Sequence, residues 1–224
     1  MTEEHPARLH VVPAAPTTPV DPGLHPLEVG SDRDGLLYLP DEPGPRPLLV
    51  VLHGATMHAR QMVRPLLAAA DETGVALLVP DSRRETWDVL LGGYGPDVAF
   101  IDASLAATFE RCWIDPTALS VGGVSDGASY ALSLGLANGD TFGSVVAFSP
   151  GFVAPPQLIG RPRVFLSHGI HDSILPIDGC GRPIAAGLQN SGYELEYVEF
   201  DGGHEMPDAV VRSAFHWLAQ DNTR

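Results

Sequence analysis

The sequence predicts an α/β fold, a mainly parallel central sheet with helices on both faces. Three observations carry this. Short apolar runs such as "LLVVLHG" (48–54) and "RVFLSHG" (163–169) do not alternate and stop at glycine, as strands buried on both faces do. Segments with apolar residues at helical spacing lie between those runs. The alternation then repeats along the chain, which favours β-α-β units over a bundle or a sandwich.

The elements follow in order. Residues 1–30 form a proline-rich, irregular lead-in, and 31–224 a single domain. "GLLYLPDEPGPRP" ends in a turn, and strand 48–54 follows. Residues 60–73 set Met62, Val63, Leu66, Leu67 and Ala70 on one helical face, and "VALLVPDS" is the next buried strand. In 97–113, Val98, Ile101, Leu105, Phe109 and Cys112 make a second helical stripe, leading into the strand "ALSVGGVS". A helix from about Gly127, the strands "GSVVAFSP" and "RVFLSHG", a helix over 180–191, the strand "LEYVEF" and a last helix burying Val210, Val211, Ala214, Phe215 and Leu218 complete the set. Such sheets bind ligands at the carboxyl ends of their strands.

Composition narrows the partners. A net charge of −15, with every basic residue an arginine, repels phosphate backbones and anionic headgroups, so no nucleic-acid or membrane partner is expected. The N-terminus opens on acids and no run approaches membrane-spanning length, which makes the cytoplasm the expected location. Cys112 and Cys180 make neither a disulfide framework nor a metal knuckle.

Chemistry begins at "SVGGVSDGAS" (120–129), where Ser125 stands between Gly123 and Gly127 at a strand-to-helix junction. A sharp turn there lifts a serine hydroxyl out of the sheet, and its close packing requires small residues two positions away on each side. The following helix directs its N-terminal amides at the same point, where they favour a developing anion. The hydroxyl needs a base, and the base needs a third group to fix its tautomer. His204, in the polar loop "VEFDGGHEMP" beyond the last strand, is the base. Asp172, just past "RVFLSHG", is the acid, ranked above Asp201 and Asp178. His168 and His171 form an H-x-x-H pair without an evident third ligand, so no metal or other cofactor is called for. For the oxyanion, one donor is the backbone N–H of Asp126; the other is that of Ala55, with Thr56 as second choice.

These motifs carry a resemblance. "LHG" before a small loop, "GVSDG", "SHGIHDSILP" and "GGHEMP" look like small serine esterases of the α/β-hydrolase superfamily, in particular the phospholipase/carboxylesterase group. The segment "DVAFIDASLAATFERCWIDPTALSVGGVSDGASYA" is also similar to polyhydroxybutyrate depolymerase and feruloyl-esterase-like proteins. The resemblance spans about residues 45–218. It implies cofactor-free hydrolysis of esters or thioesters through Ser125, Asp172 and His204.

The expected activity is therefore hydrolysis of small, short-chain or aromatic carboxylic esters through an acyl-enzyme, with a small-molecule ester as partner and a homodimer left open. With histidine's reference pKa of about 6.5, activity should fall on the acid side. The link "GFVAPPQLIGRP" is too short for a large lid or cap. Met57, Trp87, Leu90, Leu91, Tyr94, Phe152, Ile174, Leu175 and Met206 are the expected pocket walls. The alternatives are a thioesterase or deacylase of the acyl-protein thioesterase type, or a binding module that keeps the fold without turnover.

Overall fold

A computed structural model describes residues 5–30 and 32–220. The strands are β1 (Gly23–Pro26), β2 (Gly35–Leu39), β3 (Arg46–Leu52), β4 (Ala76–Pro80), β5 (Ile114–Val124), β6 (Ser144–Phe148), β7 (Arg163–Gly169) and β8 (Leu195–Phe200). They lie in the order β1-β2-β4-β3-β5-β6-β7-β8; β1 and β2 run antiparallel at one edge and the rest are parallel. The helices are α1 (Ala59–Val63), α2 (Leu67–Thr73), α3 (Pro96–Arg111), α4 (Asp126–Ala137), α5 (Gly181–Asn190) and α6 (Asp208–Ala219).

The period-two geometry of a strand explains why apolar runs without polar gaps were needed. In β3, Leu48, Val50 and Leu52 face the core shared with α3, α4 and α5, while Leu49 and Val51 face the core shared with α1, α2 and α6. Val145 and Ala147 of β6 take the first side and Val146 and Phe148 the second. A polar residue at any of these positions would lie under a helix.

Two expectations change here. The stripe over 60–73 suggested one helix, but Pro65 has no N–H to donate, and a 3₁₀ turn over Arg64–Leu66 separates α1 from α2. The lead-in is not wholly irregular: β1 pairs with β2, and Ala7, Leu9 and Leu27 are buried in the core. Asn138 fastens it by accepting from the Leu9 amide and donating to the Ala7 carbonyl.

Between β6 and β7 the chain passes over the sheet edge without a helix. It is tied to α4 by two serines: Ser129 Oγ accepts from the Gly151 amide and Ser133 Oγ from the Ala154 amide. Among the described residues no cap domain covers this edge. Among the described residues no helix is long and apolar enough to cross a membrane.

Candidate active site

Ser125 joins β5 to α4 with φ 57° and ψ −120°, a backbone conformation strained for any residue with a Cβ. The packing beneath it accounts for the flanking glycines. A Cβ on Gly123 would lie 2.5 Å from the Leu52 carbonyl oxygen and 2.6 Å from the Gly127 carbonyl. One on Gly127 would collide with the Leu52 carbonyl and lie 2.5 Å from that of His53. These are backbone atoms of β3, of His53 just after it and of α4, and cannot rotate away. Gly127→Ala is therefore expected to force α4 off β3, costing at least about 1–3 kcal/mol of stability together with most of the activity; thermal melts and turnover of the variant check this.

The loops after β7 and β8 are stitched together. The Ile170 amide donates to the Phe200 carbonyl at 3.0 Å and the His171 amide to the Gly202 carbonyl at 2.9 Å. A Cβ on Gly169 would lie 2.5 Å from the Gly202 oxygen, so glycine permits this approach. The outcome is a 2.6 Å hydrogen bond from His204 Nδ1 to Asp172 Oδ2, with the carboxylate side chain fully buried and the imidazole 15% exposed. The other carboxylate oxygen accepts from the Ile174 and Leu175 amides at 2.9 and 2.8 Å. Burial by itself would raise the Asp172 pKa. The hydrogen bonds from His204, Leu175 and Ile174 outweigh it and hold the carboxyl below its ordinary value.

A cavity of about 400 Å³ is lined by Ser125 and His204 together with Gly54, Ala55, Met57, Val124, Ile174, Glu205 and Met206. The Ser125 hydroxyl and His204 make no direct hydrogen bond among the described residues. In unliganded sites such bonds are commonly long and tighten on substrate. The rival acids lie elsewhere: Asp201 pairs with His171, and Asp178 with Arg182. His168 also parts from His171. It is fully buried, 2.8 Å from the Leu175 carbonyl and 3.3 Å from the same Asp172 oxygen that His204 engages. The fold thus places His168 against the carboxylate of Asp172 and leaves His171 on the surface with Asp201.

The loop after β3 separates the two expected oxyanion donors. The Thr56 amide is committed to the Glu85 carbonyl at 2.7 Å, which corrects Thr56 as a donor, whereas the Ala55 and Asp126 amides have no acceptor among the described residues. The Asp126 carboxylate is turned aside, accepting from Thr86 Oγ1 at 2.8 Å.

The pocket expectation needs more revision. Met57, Ile174 and Met206 line the cavity, but Trp87, Leu90, Leu91, Tyr94, Phe152 and Leu175 do not. Trp87 is fully buried, stacked on Tyr130 at 5.2 Å, its indole N–H donating to the His53 carbonyl. Leu90 and Leu91 are exposed, and Leu91 and Tyr94 line a separate cavity with Arg83, Arg84 and Asp97. Tyr94 donates to the Ala154 carbonyl, Phe152 is held by its amide on Ser129, and Leu175 packs near Gly151. The loop over 82–95 folds inward because Asp88 accepts from the Gly95 and Asp97 amides and from Tyr130, while Asp97 accepts from the Arg83 and Asp88 amides.

No family model matches the chain. It is 28% identical over 237 residues, covering 90% of this chain and 84% of the relative, to a protein of Aspergillus flavus named "Probable feruloyl esterase C". It is 26% identical over 155 residues to feruloyl esterase C of Emericella nidulans, covering 58% of this chain and 56% of the relative. Among solved structures, esterase PE8 superposes with a TM-score of 0.70 at 21% identity, over 85% of this chain and 99% of that one. The fluorophosphonate-binding serine hydrolase FphF of Staphylococcus aureus gives 0.70 at 15% identity, over 89% and 99%. By fold this chain is an α/β-hydrolase, and the relatives that it resembles in sequence are esterases.

Proposed function

We propose that the protein is a serine carboxylesterase with Ser125 as nucleophile, His204 as general base and Asp172 as the acid that orients it. The observation that carries this reading is the 2.6 Å bond between His204 Nδ1 and a buried carboxylate, at the rim of the cavity that also holds the strained Ser125. With Nδ1 donating to Asp172, the nitrogen left to take a proton is Nε2. Ser125 Oγ attacks the ester carbonyl as His204 takes its proton, and the oxyanion forms against the Ala55 and Asp126 amides. His204 returns the proton to the departing alcohol. Water repeats the sequence on the acyl-enzyme and frees the acid.

The substrates are small oxygen esters with short or aromatic acyl groups. Met57, Val124, Ile174 and Met206 give the cavity apolar walls, and among the described residues no cap extends them into a long acyl tunnel. The names of the sequence relatives favour oxygen esters over thioesters and bring aromatic acids into range. A cytoplasmic setting belongs to the same proposal and is supported by two cysteines that remain unpaired.

The test is a p-nitrophenyl ester series from acetate to palmitate, run beside methyl ferulate and a matched thioester. Turnover should be highest on the shortest chains or on ferulate and exceed that on the thioester. A rate that rises to palmitate, or one confined to the thioester, would contradict it.

A further inference from the structure

The two oxyanion donors proposed above come from different elements. Ala55 follows β3, Asp126 opens α4, and both must sit within a fraction of an ångström of the developing charge. The geometry points to Glu85, Thr86 and Trp87 as a clasp that fixes both donors, with Thr86 and Trp87 as positioning residues for transition-state stabilisation. This inference rests on the esterase reading.

The three residues bond, one after another, to the two sides of the hole. The Glu85 carbonyl accepts from the Thr56 amide at 2.7 Å, and Trp87 Nε1–H donates to the His53 carbonyl at 2.8 Å, so the Ala55 peptide is held on both flanks. Thr86 Oγ1 donates to the Asp126 carboxylate at 2.8 Å, reaching the residue that supplies the second donor. The Trp87 ring then stacks on Tyr130, one turn further along α4.

The peptide plane itself is fixed. The Ser82 amide donates to His53 Nε2 at 3.0 Å, so the proton of the neutral ring lies on Nδ1, which donates to the Gly54 carbonyl at 2.8 Å. Gly54 C=O and Ala55 N–H belong to one trans peptide and point in opposite directions. Holding that carbonyl against His53 therefore aims the Ala55 N–H the other way. Thr56, next in the chain, has φ 62°, an outlier for a β-branched residue. Such strain persists where surrounding bonds over-determine it, and the bond to Glu85 does so here.

The experiment compares Thr86→Val, Thr86→Ser and Trp87→Phe with wild type and Ser125→Ala, measuring kcat and KM on p-nitrophenyl acetate and the melting temperature of each. Thr86→Val should lower kcat at least about tenfold with KM within about twofold, and Trp87→Phe should lower it by up to about a hundredfold. Thr86→Ser keeps the hydroxyl and should restore most of the rate. Wild-type kcat in folded Thr86→Val, with Ser125→Ala inactive, would overturn the clasp and leave the esterase reading intact. A Thr86→Val defect that Thr86→Ser does not rescue, or one that follows a fall in melting temperature, would overturn it as well. Turnover persisting in Ser125→Ala would instead count against the esterase reading. Should Trp87→Phe fail to fold, the Thr86 pair decides the question alone.

Discussion

Ser125→Ala is expected to lower ester turnover by about six orders of magnitude while leaving the fold in place. The size follows from the division of labour at the site. Without Oγ there is no acyl-enzyme, and neither His204 nor the two amides can form a bond to the acyl carbon. What remains is binding and oxyanion stabilisation of attack by water, about 10³–10⁴ over the uncatalysed rate. The fold should tolerate the change because alanine removes one oxygen at the lip of a cavity, and φ 57° is no worse for alanine than for serine. Assay of the purified variant, with circular dichroism and a melting curve, separates lost chemistry from lost structure.

The second large effect is at Asp172. Replacement by asparagine keeps the shape but turns an acceptor toward His204 Nδ1 into an N–H donor, which drives the imidazole proton onto Nε2. The base is then in the wrong tautomer, and kcat should fall by about 10⁴. The same substitution has a pH signature in stability. The folded carboxyl has a pKa below its unfolded value, so its ionised form contributes stability that is fully present above the unfolded pKa, about 3.9. That contribution is lost as pH falls through the lower folded pKa. Melting temperatures of wild type and Asp172→Asn should therefore differ most at neutral pH and converge in acid below pH 4. A gap that widened toward acid would contradict the depressed pKa.

The central sheet was legible because its strands are buried on both faces and appear as unbroken apolar runs. The edge was not. β1 is four residues long and ends at Pro26, and half of its positions are exposed, so nothing in its composition separates it from a loop. The proposed triad of Ser125, Asp172 and His204 could be drawn from the sequence because each residue lies just past the carboxyl end of a strand, where local sequence and topology agree. Choosing between Ala55 and Thr56 needed a bond to Glu85 across 29 residues of chain, which no local pattern encodes. The pocket walls were least legible. A tryptophan in a polar loop looks available for substrate, yet the carboxylates of Asp88 and Asp97 gather the backbone of that loop and turn Trp87 into the core. Burial of this kind is decided by tertiary hydrogen bonds, whereas hydrophobic periodicity reports the faces of regular elements.

Ser125 as nucleophile is tested most directly by treating the folded protein with a fluorophosphonate and locating the adduct by mass spectrometry of its peptides. One covalent adduct is expected, on Ser125, absent from Ser125→Ala and strongly slowed in Asp172→Asn. An adduct on another residue, or none on folded and ester-active protein, would contradict Ser125 as the nucleophile.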